Sequence, residues 1–87
     1  MSLEFPNLSR SYDAKKNRIQ FWGHDRAKEI SFFVEAGALC ELDPQTLDME
    51  TGYLKTFDAA RDRIQETARK AYSRSGQAAY VLAAADF

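Results

Sequence analysis

Apolar residues recur every three or four positions between about residues 48 and 74, and this spacing predicts one long amphipathic helix. The apolar positions are Leu54, Phe57, Ala60, Ile64, Ala68 and Ala71. Asp48 is the expected N-cap, and Gly76 is the expected left-handed residue that ends the helix. Such a helix would be about 38 Å long at 1.5 Å per residue, which is longer than a small sheet can cover.

Three shorter segments alternate apolar and polar residues and predict strands over 17–23, 28–34 and 78–83. The first two form an antiparallel hairpin whose loop of about four residues begins near Gly23. A short helix is expected over 35–42. In the last strand, alternation allows either Tyr80 with Leu82 or Val81 alone to face the core.

The element order β-β-α-α-β predicts an α+β fold, in which a short and a long helix pack on one face of a three-stranded, mainly antiparallel sheet. The 87 residues are expected to form a single domain, 1–87. Residues 1–12 are predicted to be an irregular lead-in that could add a short strand, because Pro6 prevents a helix there.

The composition argues against several classes of protein. A formal charge of −1 provides no overall field that would attract nucleic acid or an acidic membrane. The chain has no secretory signal pattern, and no apolar stretch approaches the ~20 residues needed to span a bilayer. Cys40 has no second cysteine to pair with, which favours a reducing cytoplasm.

Several stretches together resemble a known family, namely LEFPNLSRSYD, RIQFWGHD, EISFFVEAGAL, FDAARDRIQETARKAY and VLAAADF. Taken in succession they are similar to domain-of-unknown-function family 1488, which comprises small proteobacterial proteins. The resemblance implies a small α+β domain in the bacterial cytoplasm and brings no established activity, cofactor or catalytic residue. Members often carry a hydroxyl residue shortly before the closing Ala-Asp-Phe, where this chain has Ala84.

Candidate catalytic groups are few. His24 with Asp25 is the one pair that resembles an acid–base unit, but a solvated turn is the simpler interpretation. Cys40 lies on the inward side of the predicted short helix and is interpreted as a small buried hydrophobe. Neither a metal-ligand set nor a Gly-rich phosphate loop is present in the sequence. The sequence therefore predicts a protein that is not an enzyme and has no cofactor.

Two aromatic residues, Trp22 and Phe33, fall on the sheet side opposite the core. Because soluble monomers rarely leave such patches open, we expect a second copy or another protein to bind there. An equally weighted alternative is that the lead-in residues Phe5, Leu8 and Tyr12 fold over the patch.

Nucleic acid is a weaker alternative occupant of the same patch. The aromatics could stack on bases, and Arg18 shares their side with Lys15 and Lys16 nearby. Glu29 on the same side and a pI of about 5.8 oppose phosphate binding.

Overall fold

A computed structural model of the protein describes residues 3–87. It has an α+β fold with four strands, three α-helices and a short 3-10 turn within these residues. In chain order the elements are β1 (Arg10–Asp13), β2 (Arg18–Asp25), β3 (Lys28–Glu35), α1 (Ala36–Leu42), α2 (Glu50–Ala59), α3 (Arg61–Ser75), β4 (Ala79–Leu82) and the 3-10 turn Ala84–Asp86.

The sheet has the strand order β1-β2-β3-β4, with the first two pairings antiparallel and β3–β4 parallel. The sheet therefore has one strand more than the three predicted, because residues of the lead-in form β1. The three helices between β3 and β4 permit the parallel direction of β4, since a parallel neighbour needs a long crossover connection. Tyr80 and Leu82 face the core and Val81 does not.

The start of the lead-in runs along β2, with the side chains of Leu3 and Phe5 on the helix side of the sheet. Glu4 and His24 exchange two backbone hydrogen bonds of 2.8 Å, so this segment runs beside β2. The Phe5 ring lies 6.0 Å from the rings of both Phe21 and Phe32, in the space that Gly23 leaves open. Residues 10–13 form β1, the short strand that the lead-in was expected to be able to add, and Met1 and Ser2 lie outside the described residues.

The β2–β3 hairpin is tighter than predicted. Its loop consists of Arg26 and Ala27 alone, and Arg26 takes a positive φ of 59°. Non-glycine residues adopt that conformation uncommonly, so the sequence did not indicate it. As a result His24 and Asp25 are the last residues of β2 and are not turn residues.

The predicted long helix is two helices with an interruption at Ala60, where φ is −104° and ψ is 15°. Neither proline nor glycine stands at the break. A straight helix over 50–75 would measure about 39 Å, whereas the longest dimension of the molecule is 35 Å. The break lets both halves lie on the sheet, with Phe57 and Ile64 completely buried. The N-cap of α2 is Met49, and the predicted Asp48 precedes it.

The buried face of this helical segment is broader than the predicted stripe. Tyr53, Thr56 and Tyr72 are buried in addition to three of the predicted positions. The other predicted positions, Leu54, Ala60 and Ala71, are half-buried against the core. Gly76 ends α3 with a positive φ of 61°, as predicted.

One ion-pair cluster ties the first strand to the helices. Arg10 donates two hydrogen bonds to the Asp58 carboxylate, at 2.9 and 2.8 Å, and Arg61 donates a third at 3.0 Å. The hydrogen bond from Arg10 is the main reason that the pKa of Asp58 lies below its ordinary value.

We expect Asp58→Asn to lower the free energy of unfolding at neutral pH by about 0.5–1 kcal/mol, because partly exposed ion pairs contribute little. A lowered carboxyl pKa stabilises the fold above the ordinary pKa, and that stability is lost as the pH falls through the lowered value. The difference between wild type and variant in urea denaturation should therefore disappear in acid. Glu66→Gln, in a 4.0 Å pair with Arg69, is the control and should change little. A difference that persists in acid would contradict the ionic explanation.

A second prediction concerns the start of α2. A Cβ atom at Gly52 would collide with the backbone carbonyl of Leu47, whereas a Cβ at Gly37 in α1 would meet nothing within 4 Å. We expect Gly52→Ala to destabilise the protein by about 2 kcal/mol or more, as overpacking does. Gly37→Ala should stabilise it by about 0.5–1 kcal/mol, because alanine favours the helix. Denaturant unfolding measures both, and equal effects would mean that the contact at Leu47 is not made.

Candidate interaction surface

The sheet has one side that the helices of residues 3–87 do not cover, which we call the open face. The buried residues of all three α-helices belong to a core cluster on the other side. Since side chains alternate along a strand, the register assigns the open face to Ser11 and Asp13 of β1, Arg18, Gln20, Trp22 and His24 of β2, Glu29, Ser31, Phe33 and Glu35 of β3, and Ala79 and Val81 of β4.

The centre of the open face is apolar, and both predicted residues lie in it. Phe33 stands between Gln20 and Val81, and Trp22 lies opposite Ser31 in the next row. Trp22 and Phe33 are half-buried by their neighbours, and Val81 is 50% exposed. Phe5 and Tyr12 pack against the core on the other side, and Leu8 is 62% exposed. The alternative that the lead-in covers Trp22 and Phe33 is therefore wrong.

Arg18 is part of this surface in a way that sequence reasoning missed. Its guanidinium carbon lies 3.8 Å from the centre of the Phe33 ring. Its Nε is shielded from solvent and has no hydrogen-bond partner within residues 3–87. The missing hydrogen bond is partly compensated by the cation–π contact between the guanidinium and the face of the Phe33 ring. Alternation in the sequence did place Arg18 and Phe33 on the same face. Their contact depends on the strand register, which a local pattern does not show.

Carboxylates stand at both ends of the open face. Glu29 and Glu35 are exposed on β3 and lie about 20 Å apart at 3.3 Å per residue. The imidazole Nε2 of His24 is 3.9 Å from the Glu29 carboxylate. The apolar centre is thus bordered by negative charge, and the one arginine on this face lies over an aromatic ring.

The structure separates His24 from Asp25. His24 is on the open face, whereas Asp25 points to the helix side and accepts a hydrogen bond of 2.6 Å from the Tyr72 hydroxyl. That hydrogen bond, with burial and the charge of Asp25, raises the pKa of Tyr72 above its ordinary value. Asp25 therefore joins the end of β2 to α3, and the two residues do not form a unit.

The sequence model of a protein family, described as "Protein of unknown function (DUF1488)", matches residues 3–82 of the chain. The chain belongs to this family. Neither the search of curated proteins nor the search of solved structures gives a match. The match ends before Ala84, so it does not bear on the hydroxyl residue expected near that position.

Other candidate groups in this DUF1488 chain are dispersed. Cys40 is a free, half-buried thiol on α1. Within residues 3–87, no three His, Cys, Asp or Glu side chains lie close enough together to hold a metal ion. None of the helices described is both long and apolar enough to cross a membrane.

A shallow cleft of about 290 Å³ lies between α2 and the connection that precedes it. Its polar groups hold the connection in place: the Thr46 and Thr56 hydroxyls are 2.7 Å apart, and Asp43 accepts the backbone N–H of Gln45. Asp43, Thr46 and Thr56 in this cleft are therefore engaged in contacts that fix the connection of the DUF1488 domain before α2.

The assignment of faces is testable with two adjacent aromatic residues. Phe32→Thr should cost about 3–5 kcal/mol of unfolding free energy, since Phe32 is completely buried. Phe33→Thr should cost about 1 kcal/mol, because Phe33 is half-buried on the open face and threonine suits a strand. Urea denaturation of both variants measures the difference. Similar costs would show that Phe33 is covered in solution.

Proposed function

We propose that this DUF1488 protein is a non-catalytic interaction module whose open face binds another protein. The observation that carries the proposal is the apolar centre formed by Trp22, Phe33 and Val81 on the sheet side that the helices leave bare. Antiparallel sheets often expose one side to water, but that side is then mostly polar. Aromatic residues in its centre favour binding, since aromatic side chains provide most of the energy at protein interfaces.

The partner that best fits this surface presents an amphipathic helix. A helix laid along β3 would place its apolar stripe on Phe33 and Trp22 and would complete a second helical layer on the sheet. The exposed carboxylates of Glu29 and Glu35 would meet basic residues near its two ends. Basic residues that border the apolar stripe are thus the expected feature of the partner.

Nucleic acid fits the same surface less well. Trp22 and Phe33 could stack on bases, but phosphates would approach Glu29 and Glu35. The guanidinium of Arg18 is occupied by the Phe33 ring. An enzyme fits less well still, since His24 and Asp25 point to opposite sides.

The single cysteine, Cys40, supports a cytoplasmic location, and the family resemblance implies a bacterial one.

Site-specific photo-crosslinking tests the proposal. A photoreactive phenylalanine analogue would replace Trp22 in cells that naturally make the protein, with the analogue at the exposed Met49 on the helix side as control. We expect position 22 to form an adduct with one protein that position 49 does not form. The purified partner should then bind the wild type, and Phe33→Ser should weaken that binding by at least about tenfold.

Leu8→Ser, which removes an exposed apolar side chain of the lead-in, is the matched control and should leave partner binding unchanged. Adducts that form equally from positions 22 and 49, or binding that Phe33→Ser does not weaken, would refute the proposal. Adducts with RNA or DNA from position 22 would support the nucleic-acid alternative.

A further inference from the structure

The second edge of the sheet is a backbone surface distinct from the open face. Within residues 3–87, β4 pairs with β3 alone and has no strand on its other side. Ser31 donates its N–H to the carbonyl of Ala78 at 2.9 Å. Because backbone groups alternate in direction along a strand, the N–H and C=O groups of Ala79 and Val81 point away from β3.

This edge is short, at four residues, but it carries neither a charged residue nor a proline. Natural edge strands carry charges, proline or bulges that prevent association with another strand. Residues 75–85, SGQAAYVLAAA, contain no charged residue and no proline. The opposite edge strand, β1, has Arg10 and Asp13 at its ends and Pro6 in the segment before it. β4 therefore lacks the charged residues that β1 carries against pairing with another strand.

We propose that β4 pairs antiparallel with β4 of a second copy and joins the two sheets into one. The occupant is a second copy because an uncharged strand meets no repulsion from its own image, and because closed two-fold pairs are the commonest assemblies. Placing Ala79 opposite the partner's Val81 uses all the free backbone groups of these two residues. Beyond them, the N–H of Ala83 is already bonded to the Asp86 carboxylate at 2.8 Å, which limits the pairing to this register.

The two-fold axis of such a pair is perpendicular to the sheet, so both helical layers lie on one side. The two open faces then form one surface on a sheet of eight strands, four from each copy. The pairing involves short strands and buries little area, so the dimer is expected to be weak, with a Kd on the order of 1 mM.

Proline substitutions test the pairing directly. Ala79→Pro and Val81→Pro each remove an N–H that points away from β3, and edge strands tolerate proline in that orientation. Val81→Thr is the matched control, because it keeps the N–H and the branched shape and replaces only one methyl group with a hydroxyl. Sedimentation velocity from about 10 µM to 1 mM, the range in which weak pairs form, measures association. Amide exchange of Ala79 and Val81 measures protection of the edge.

We expect the wild type and Val81→Thr to dimerise at high concentration with increasing protection of these two amides. Each proline variant should remain monomeric while keeping its Trp22 emission and unfolding midpoint close to those of the wild type. If one proline variant unfolds, the other still decides the matter, since Ala79 is the first residue of the strand, where proline is best tolerated.

Three results would overturn the inference. The first is a wild type that stays monomeric at about 1 mM, where a short interface of this kind should form. The second is a dimer that survives Ala79→Pro but is lost in Phe33→Ser, which would place self-association on the open face. The third is growth into fibrils, since open-ended pairing is not a closed dimer.

Discussion

The aromatic contacts between sheet and helix are the interaction on which the rest of the structure depends. The rings of Phe21 and Phe32 stack 5.3 Å apart across the β2–β3 pair, and Phe57 of α2 lies 5.3 Å from Phe21. Tyr80 extends the stack to β4 at 5.4 Å from Phe32, and Phe5 joins it from the lead-in. Large aromatic side chains dominate the energy of so small a core. This cluster therefore holds all the layers together.

The same aromatic cluster determines which residues of the strands lie on the open face. Because neighbouring residues of a strand point to opposite sides, burying Phe21 and Phe32 places Trp22 and Phe33 on the open face. A chain of 87 residues has one core and places its helices on one side of the sheet. The open face is a consequence of this one-sided arrangement, and the β4 edge exists because the four-stranded sheet is not closed into a barrel. The first offers side chains, and the second offers backbone hydrogen bonds.

Two acidic residues, Asp25 and Asp58, have structural roles. Asp25 accepts the Tyr72 hydroxyl and fixes α3 to the end of β2. Asp58 holds Arg10 and Arg61 and fixes β1 to the helices. In a small domain, such ties between layers supplement a limited core. The polar residues Glu29 and Glu35 of the open face border its apolar centre.

Local pattern determined much of this fold. Alternation placed β2, β3 and β4 and assigned Trp22 and Phe33 to the correct side, because it reflects which side of each strand is buried. Helical spacing found the apolar face from Phe57 to Ala68, although the break at Ala60 divides it. The parallel pairing of β4, the recruitment of β1, the break at Ala60 and the contact of Arg18 with Phe33 were decided by tertiary structure. Each depends on residues distant in the chain, which a local pattern does not encode.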